Sequence, residues 1–263
     1  MCKSTAIMHH FIPDPARIPA PRFGERKPGG ALHTLSPGVL TIGAYRSFAP
    51  VVWAEAGTAQ GKDIHFLRAF ARAEGLAVEV RFFEFDRLWE RPLRRQVDLA
   101  AGGIAPTPRR HPAGLAWSLP YHTVQRSLVI RKEDSAHLRT MADFARRTIA
   151  VTRGSTADLD TRRRKPDTAR IVYFERQEDA VRDLFDGRID AFGTGDICSH
   201  HLAAEHADRL AVSDVHATDT AEHFAFAMEE TSDLLAPLNQ FIEKNRARYA
   251  TVPPACEWSD YVI

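Results

Sequence analysis

The 263-residue chain is 44% hydrophobic and 26% charged, a globular balance that excludes wholesale disorder. Its 35 Lys and Arg against 34 Asp and Glu leave a formal charge of +1, so it has no general attraction for nucleic acid or an anionic membrane surface. No stretch approaches the roughly 18 uninterrupted apolar residues of a membrane helix, and three scattered cysteines, Cys2, Cys198 and Cys256, make neither a disulfide framework nor a zinc site.

Residues 1–37 are rich in proline and basic side chains without periodicity, which predicts an irregular leader. They lack the apolar core of a secretory signal, so the chain as written is expected to stay in the cytoplasm. From Gly38 the texture changes. VLTIGAY (39–45) is a short, nearly continuous apolar run, the pattern of a strand buried on both faces. In DIHFLRAFARAEG the apolar residues recur at helical spacing, with Gly75 placed to end the helix. AVEVRFF (77–83) alternates as a strand, FDRLWERPLRR predicts a second, shorter helix, and VDLAAGGI (97–104) a third strand ending in glycines. This rhythm argues for a mostly parallel α/β sheet with helices on its faces.

A second α/β unit follows over about 125–212. SLVIRKE, TIAVTRG, RIVYFE and IDAFGTGD read as strands. MADFARR, STADLDTRRR, QEDAVRDLFDGR and SHHLAAEHADRL read as helices, the second capped by Ser155 or Thr156. The chain closes with a strand in HFAFAMEE and a long amphipathic helix in SDLLAPLNQFIEKNRARYA.

Taken in order, GVLTIGAY, Phe48–Pro50, GKDIHFLRAFARAEGL, FDRLW with VDLAAGGIAPTPRR, WSLPY, VTRGST, DLFDGRIDAF and HFAFAMEETSDLLAPLNQFI resemble the solute-binding proteins of amino-acid ABC importers, the extracellular solute-binding family 3. The resemblance runs from about residue 38 to 245. It implies a type II periplasmic-binding-protein-like α/β fold, with one lobe from 38–122 plus 214–263 and a second from 123–213. Two crossing strands would join the lobes around a ligand cleft. The family is usually periplasmic and partners an ABC permease, which would apply here if the chain is exported.

An amino-acid zwitterion needs a cation for its carboxylate and an acceptor for its ammonium. Arg110 offers a planar fork that matches a carboxylate. Gly154, Ser155 and Thr156 open a predicted helix, whose free amides and dipole favour an anion. Read alone, the first is an ordinary surface arginine and the second an ordinary cap; the motif order raises both to candidate ligand contacts on opposite lobes. The resemblance further implies backbone contacts at Gly103 and Ala105, and side chains flanking the ligand at Phe48 and Phe85. Tyr45, Trp53 and Asp63 fall near the same mouth.

One position departs from the family pattern. The ammonium-binding aspartate is expected five residues after Asp190, where this chain has Gly195; Asp196 comes one later. A one-residue shift turns a strand side chain to the other face. Either a bulge in the GTGD segment returns Asp196 to the pocket, or the acceptor is missing and the ligand is a carboxylic acid without an ammonium group.

The second function class is an enzyme on the same scaffold. The family includes the lyase cyclohexadienyl dehydratase, but the residues following the second-lobe strand, Asp196 to Ser199, contain no Glu. Asp196 and His65 are the remaining acid–base candidates for an elimination or proton transfer. No cofactor or metal is expected. GGI and GTG are not nucleotide-binding fingerprints, and His200, His201, Glu205 and His206 read as a solvated helix face without a placed third ligand. His9 and His10 lie in the leader, DTRRRKPD is a solvated turn, and no GxSxG or Cys–His pairing marks a nucleophile.

Overall fold

A computed structural model describes residues 32–213, 215 and 221–251 of the chain. The remaining positions, which include Cys2, Cys256, His9 and His10, lie outside the described residues. In chain order the first half contains β1 (Val39–Tyr45), β2 (Ser47–Phe48), β3 (Val52–Glu55), β4 (Thr58–Gln60), α1 (Lys62–Ala73), β5 (Ala77–Phe83), β6 (Leu99–Ala101) and β7 (Leu115–Trp117). The second half contains β8 (His122–Val124), β9 (Arg126–Arg131), β10 (Thr148–Thr152), α2 (Thr156–Arg164), β11 (Arg170–Phe174), α3 (Gln177–Phe185), β12 (Ala191–Gly195), α4 (Asp196–Glu205) and β13 (Leu210–Val212). The chain then returns through β14 (Glu222–Phe224), β15 (Ala227–Glu229) and α5 (Leu235–Thr251).

Two five-stranded sheets follow, ordered β5-β1-β6-β15-β7 and β11-β10-β12-β9-β13. In each, the sequential β-α-β units pair in parallel, as β1 does with β5 and β6, and β10 with β11 and β12. Strands supplied by the crossing chain pair antiparallel at the other side. Between the lobes, β8 and β14 form a two-stranded antiparallel ribbon, so the chain enters lobe 2 and leaves it side by side. Two adjacent strands between otherwise separate sheets are the geometry of a hinge.

Each lobe buries its own core. Lobe 1 packs Leu40, Ile42, Phe66, Phe70, Leu238 and Tyr249 among its largest members. Lobe 2 buries one cluster on each face of its sheet, around Leu184 and Phe192 on one and Phe144 and Ile149 on the other. Leu32, read as leader, packs into the lobe 1 core.

Several local expectations change. FDRLWERPLRR does not make a helix: it forms two short 3-10 turns, Leu88–Glu90 and Pro92–Arg94, with Arg87 and Arg95 in left-handed backbone. Pro92 lacks an amide hydrogen and its ring crowds the preceding turn, which interrupts helical hydrogen bonding there. MADF is likewise a single 3-10 turn, closed by a capping box between Thr140 and Asp143. HFAFAMEE is not one strand but two, because the chain leaves the hinge ribbon at Phe224 and joins the lobe 1 sheet at Ala227. Leu210, read as the last residue of a helix, instead starts the strand Leu210–Val212.

Candidate functional site

The cavity between the lobes is built from strand ends and the turns that follow them. From lobe 1 it is lined by Tyr45, Phe48, Phe85 and Gly103; from lobe 2 by Arg126, Thr152, Ser155, Thr156, Ala157, Gly193 and Thr194. It offers about 30 Å³ to the centres of water molecules, room for one or two waters.

The lobe 1 wall is aromatic and rigidly backed. Tyr45 and Phe85 meet edge to face at 5.6 Å, Phe48 and Phe224 at 6.3 Å. Phe48 packs against the cores of both lobes. Gly103 has a φ of +64°, and a Cβ there would stand 2.5 Å from the Phe48 ring; this turn requires glycine. Asp63 lies beneath it, fully buried. Its carboxylate accepts the Gly102 and Gly103 amides at 2.8 and 3.1 Å and the hydroxyls of Tyr121 at 2.8 Å and Tyr249 at 2.5 Å. Burial pushes its acidity downward, raising the carboxyl above its usual range, while these four donors oppose that shift. Asp63 is therefore a strut under the cleft and does not line it.

The lobe 2 wall is polar. α2 begins at Thr156, with the Ser155 hydroxyl accepting the Asp158 amide as a cap. The first-turn amides of Thr156 and Ala157 precede any intrahelical acceptor and sit at the cavity. Deeper in the wall is Arg126, a residue the motif order did not single out. It is 6% exposed and ion-paired to Glu222 of the hinge ribbon at 3.0 Å. Its Nε and Nη2 nevertheless have no aligned hydrogen-bond acceptor. Thr152, Gly193 and Thr194 also line the cavity; they fall in the VTRGST and GTGD segments, but nothing in those segments marks which strand face meets the cleft.

Arg110 is 3% exposed and spans the lobes. Its Nη1 donates to the Ala105 carbonyl at 2.8 Å and its Nη2 to the Gly154 carbonyl, across the cleft, at 2.7 Å. The guanidinium lies 4.4 Å from the Trp89 ring centre and 5.5 Å from that of Phe85. Burial lowers its pKa to about 10, which leaves it cationic at neutral pH. Arg110, Ala105 and Gly154 thus form a bridge between the lobes, and none of the three is among the cavity-lining residues. Two more contacts hold the lobes together. The Tyr45 hydroxyl donates to the Glu175 carbonyl at 2.5 Å. The Ser47 hydroxyl donates to Glu178 at 2.7 Å and accepts the Gln177 amide at 2.7 Å, so a lobe 1 side chain caps α3 of lobe 2.

Of the two alternatives for the GTGD segment, the bulge is absent. β12 and β9 pair without interruption from Ala191 opposite Ile130 to Gly195 opposite Arg126. Asp196 starts α4, and its carboxylate accepts the amide of Ile197 at 2.8 Å, outside the cavity lining. Placing Asp196 in the pocket is therefore corrected: its register makes it a helix-end residue. Trp53 lies in the small β2-β3-β4 sheet, and His65 is buried in α1; neither lines the cavity. The two acid–base candidates of the enzyme reading, Asp196 and His65, are thus both outside it. Buried Cys198 donates to Gln177 at 2.9 Å, its thiol pushed up to about 12 by burial. His201 pairs with Glu205 at 3.4 Å. Among the described residues, no group of three or more His, Cys, Asp or Glu is placed to hold a metal, and no helix is long and apolar enough to cross a membrane.

Comparison with known proteins agrees with this architecture. The arginine-binding extracellular protein ArtP of Bacillus subtilis is 24% identical over 208 residues, spanning 78% of this chain and 80% of that protein. A mutant of the arginine-binding protein ArgBP of T. maritima superposes with a TM-score of 0.72 at 25% identity, covering 81% of this chain and 93% of that one. An ancestral amino-acid-binding protein, AncCDT-1, a precursor of cyclohexadienyl dehydratase, superposes with a TM-score of 0.73 at 22% identity, over 86% and 96% of the two chains. The family model of bacterial extracellular solute-binding proteins, family 3, matches residues 40–250, and the chain belongs to that family.

Proposed function

We propose that the protein binds a small carboxylate-bearing, amino-acid-like ligand between its lobes, which close on it. The observation that carries this reading is the meeting of aromatic rings from one lobe and a helix N-terminus from the other around one cavity, beside an arginine that bridges both. Aromatic faces supply shape and burial, and the free amides of α2 supply an anion site. The arginine- and amino-acid-binding relatives support the ligand class. Micromolar affinity corresponds to about 8 kcal/mol, within reach of one anion contact and two flanking rings. In a family of extracellular proteins, the receiving partner of a loaded molecule is an ABC permease, and release requires the hinge ribbon to flex.

The test is a thermal-shift screen of amino acids and small carboxylic acids on the full chain. A true ligand at a hundred times its Kd adds about 2.7 kcal/mol of stability. Arg110→Ala is expected to lose most of that gain, since it removes the bridge to Gly154. A screen without any stabilising carboxylate, or an Arg110→Ala variant with the whole shift intact, rejects the reading.

A further inference from the structure

We propose that the cleft selects a small organic acid carrying an oxygen function, an oxo, hydroxyl or second carboxyl group, where an amino acid carries its ammonium. The inference rests on the binding reading above and narrows it to a ligand class.

The evidence is the pairing of Arg126 with Gly195. The two residues are register partners across β9 and β12. A Cβ at position 195 would stand 3.4 Å from the Arg126 Nη2 atom and 2.6 Å from Val124 Cγ2. The contact with Val124 is the one that requires glycine at 195; towards the guanidinium a methyl group would make only ordinary contact, so the absence of a side chain there leaves the Arg126 side chain without a partner from that position of β12. Arg126 lines the cavity; its Nε is buried without an acceptor, and its Nη2 faces only the Glu222 carboxylate, at 3.0 Å without hydrogen-bond alignment. A buried guanidinium nitrogen left without an acceptor is costly, so this wall is suited to an incoming oxygen.

The charges around the cavity point the same way. Glu222 is already held by Arg126 at 3.0 Å. Asp86 is exposed, beside Gly154, where a Cβ would meet its Oδ1 at 2.8 Å. Neither is among the lining residues, and among the described residues every polar side chain of the lining is an arginine, a hydroxyl or a phenol. An ammonium group enclosed here faces a guanidinium at close range, a like-charge contact in a desolvated site. A second oxygen instead gives the Arg126 Nε an acceptor in a charge-assisted hydrogen bond, while the carboxylate takes the amides of Thr156 and Ala157.

The experiment is titration calorimetry on the full chain with matched pairs: phenylpyruvate and phenyllactate against L-phenylalanine, 2-oxoglutarate against L-glutamate, with L-arginine added. At least one oxo or hydroxy acid is expected to bind about tenfold or more tightly than its amino counterpart, a difference of about 1.4 kcal/mol. An amino acid that binds as well as its counterpart, or better, overturns the inference and leaves the binding function standing. No binding by either set counts against the binding function itself. Arg126→Met is expected to weaken acid binding about tenfold or more, with Arg126→Lys between it and the parent. Should the Met variant fail to fold, Glu222→Gln decides: removing the competing carboxylate is expected to tighten acid binding, and unchanged or weaker binding overturns the role given to Arg126.

Discussion

The two walls of the cleft divide the work of recognition. The lobe 1 wall presents rings, Tyr45, Phe48 and Phe85, on a glycine turn propped from below by a carboxylate with four donors. The lobe 2 wall presents hydroxyls, a helix start and a guanidinium that lines the cavity while pairing with Glu222 of the hinge ribbon at 3.0 Å. Shape is thus fixed on one side and charge on the other. In the proposed binding mode neither wall is complete until the lobes meet, which would make affinity and closure the same event.

The largest expected effect lies under the rigid wall. Asp63→Ala strands two backbone amides and two tyrosine hydroxyls in a buried site, at a cost of about 3 kcal/mol or more. Urea unfolding measures it; a loss near zero would mean that the strut is dispensable and the walls are not differently supported. Next is Gly103→Ala, which adds a Cβ 2.5 Å from Phe48 at positive φ. It is expected to cost about 1–3 kcal/mol and to displace the Phe48 ring, which ligand affinity and near-ultraviolet circular dichroism report together.

Two hydroxyls sharpen the comparison further, because each caps a lobe 2 helix but only one reaches across. Ser155→Ala removes a cap within lobe 2 and is expected to cost about 1 kcal/mol of stability, visible with or without ligand. Ser47→Ala removes the cap that lobe 1 lends to α3. Its expected cost, also about 1 kcal/mol, falls on closing, so small-angle scattering should show a larger radius at unchanged unfolding free energy. Equal effects of the two variants on both measurements would erase the distinction.

The sequence made some of this wall structure visible and concealed the rest for definite reasons. The buried run Val39–Tyr45, the helix ended by Gly75 and the capped start of α2 are local signals, set by apolar period and cap chemistry, and they locate Tyr45, Ser155 and Thr156 correctly at element ends. Arg126, Thr152, Gly193 and Thr194 lie in strands of the lobe 2 sheet. Which face of a strand meets a cleft depends on the other lobe, and alternation alone does not carry that information. Ser47 is invisible for the same reason: its partners are 130 and 131 residues away. Asp196 shows the reverse error, a plausible carboxylate whose one-residue offset is decisive because β12 pairs without a bulge.

The smallest expected effect is a pH dependence of closing. Glu84 of lobe 1 lies beside Glu175 of lobe 2, and this neighbouring carboxyl raises that of Glu84 above its ordinary 4.5, with burial adding to the shift and Arg46 opposing it. Parting the lobes breaks the pair and returns Glu84 towards that ordinary value. A group whose pKa is raised by closing favours the closed form below its open-state value and loses that contribution as pH rises through the closed-state one. Both residues are exposed, so solvent screens the effect and only a modest shift is expected. The radius of gyration of the ligand-free protein should grow slightly as pH is raised from the ordinary glutamate value towards neutrality, and Glu84→Gln should flatten that change. A radius that shrinks over the same range would show that other charges across the cleft, Glu178 near Ser47 or Asp86 near Gly154 among them, dominate the closing equilibrium.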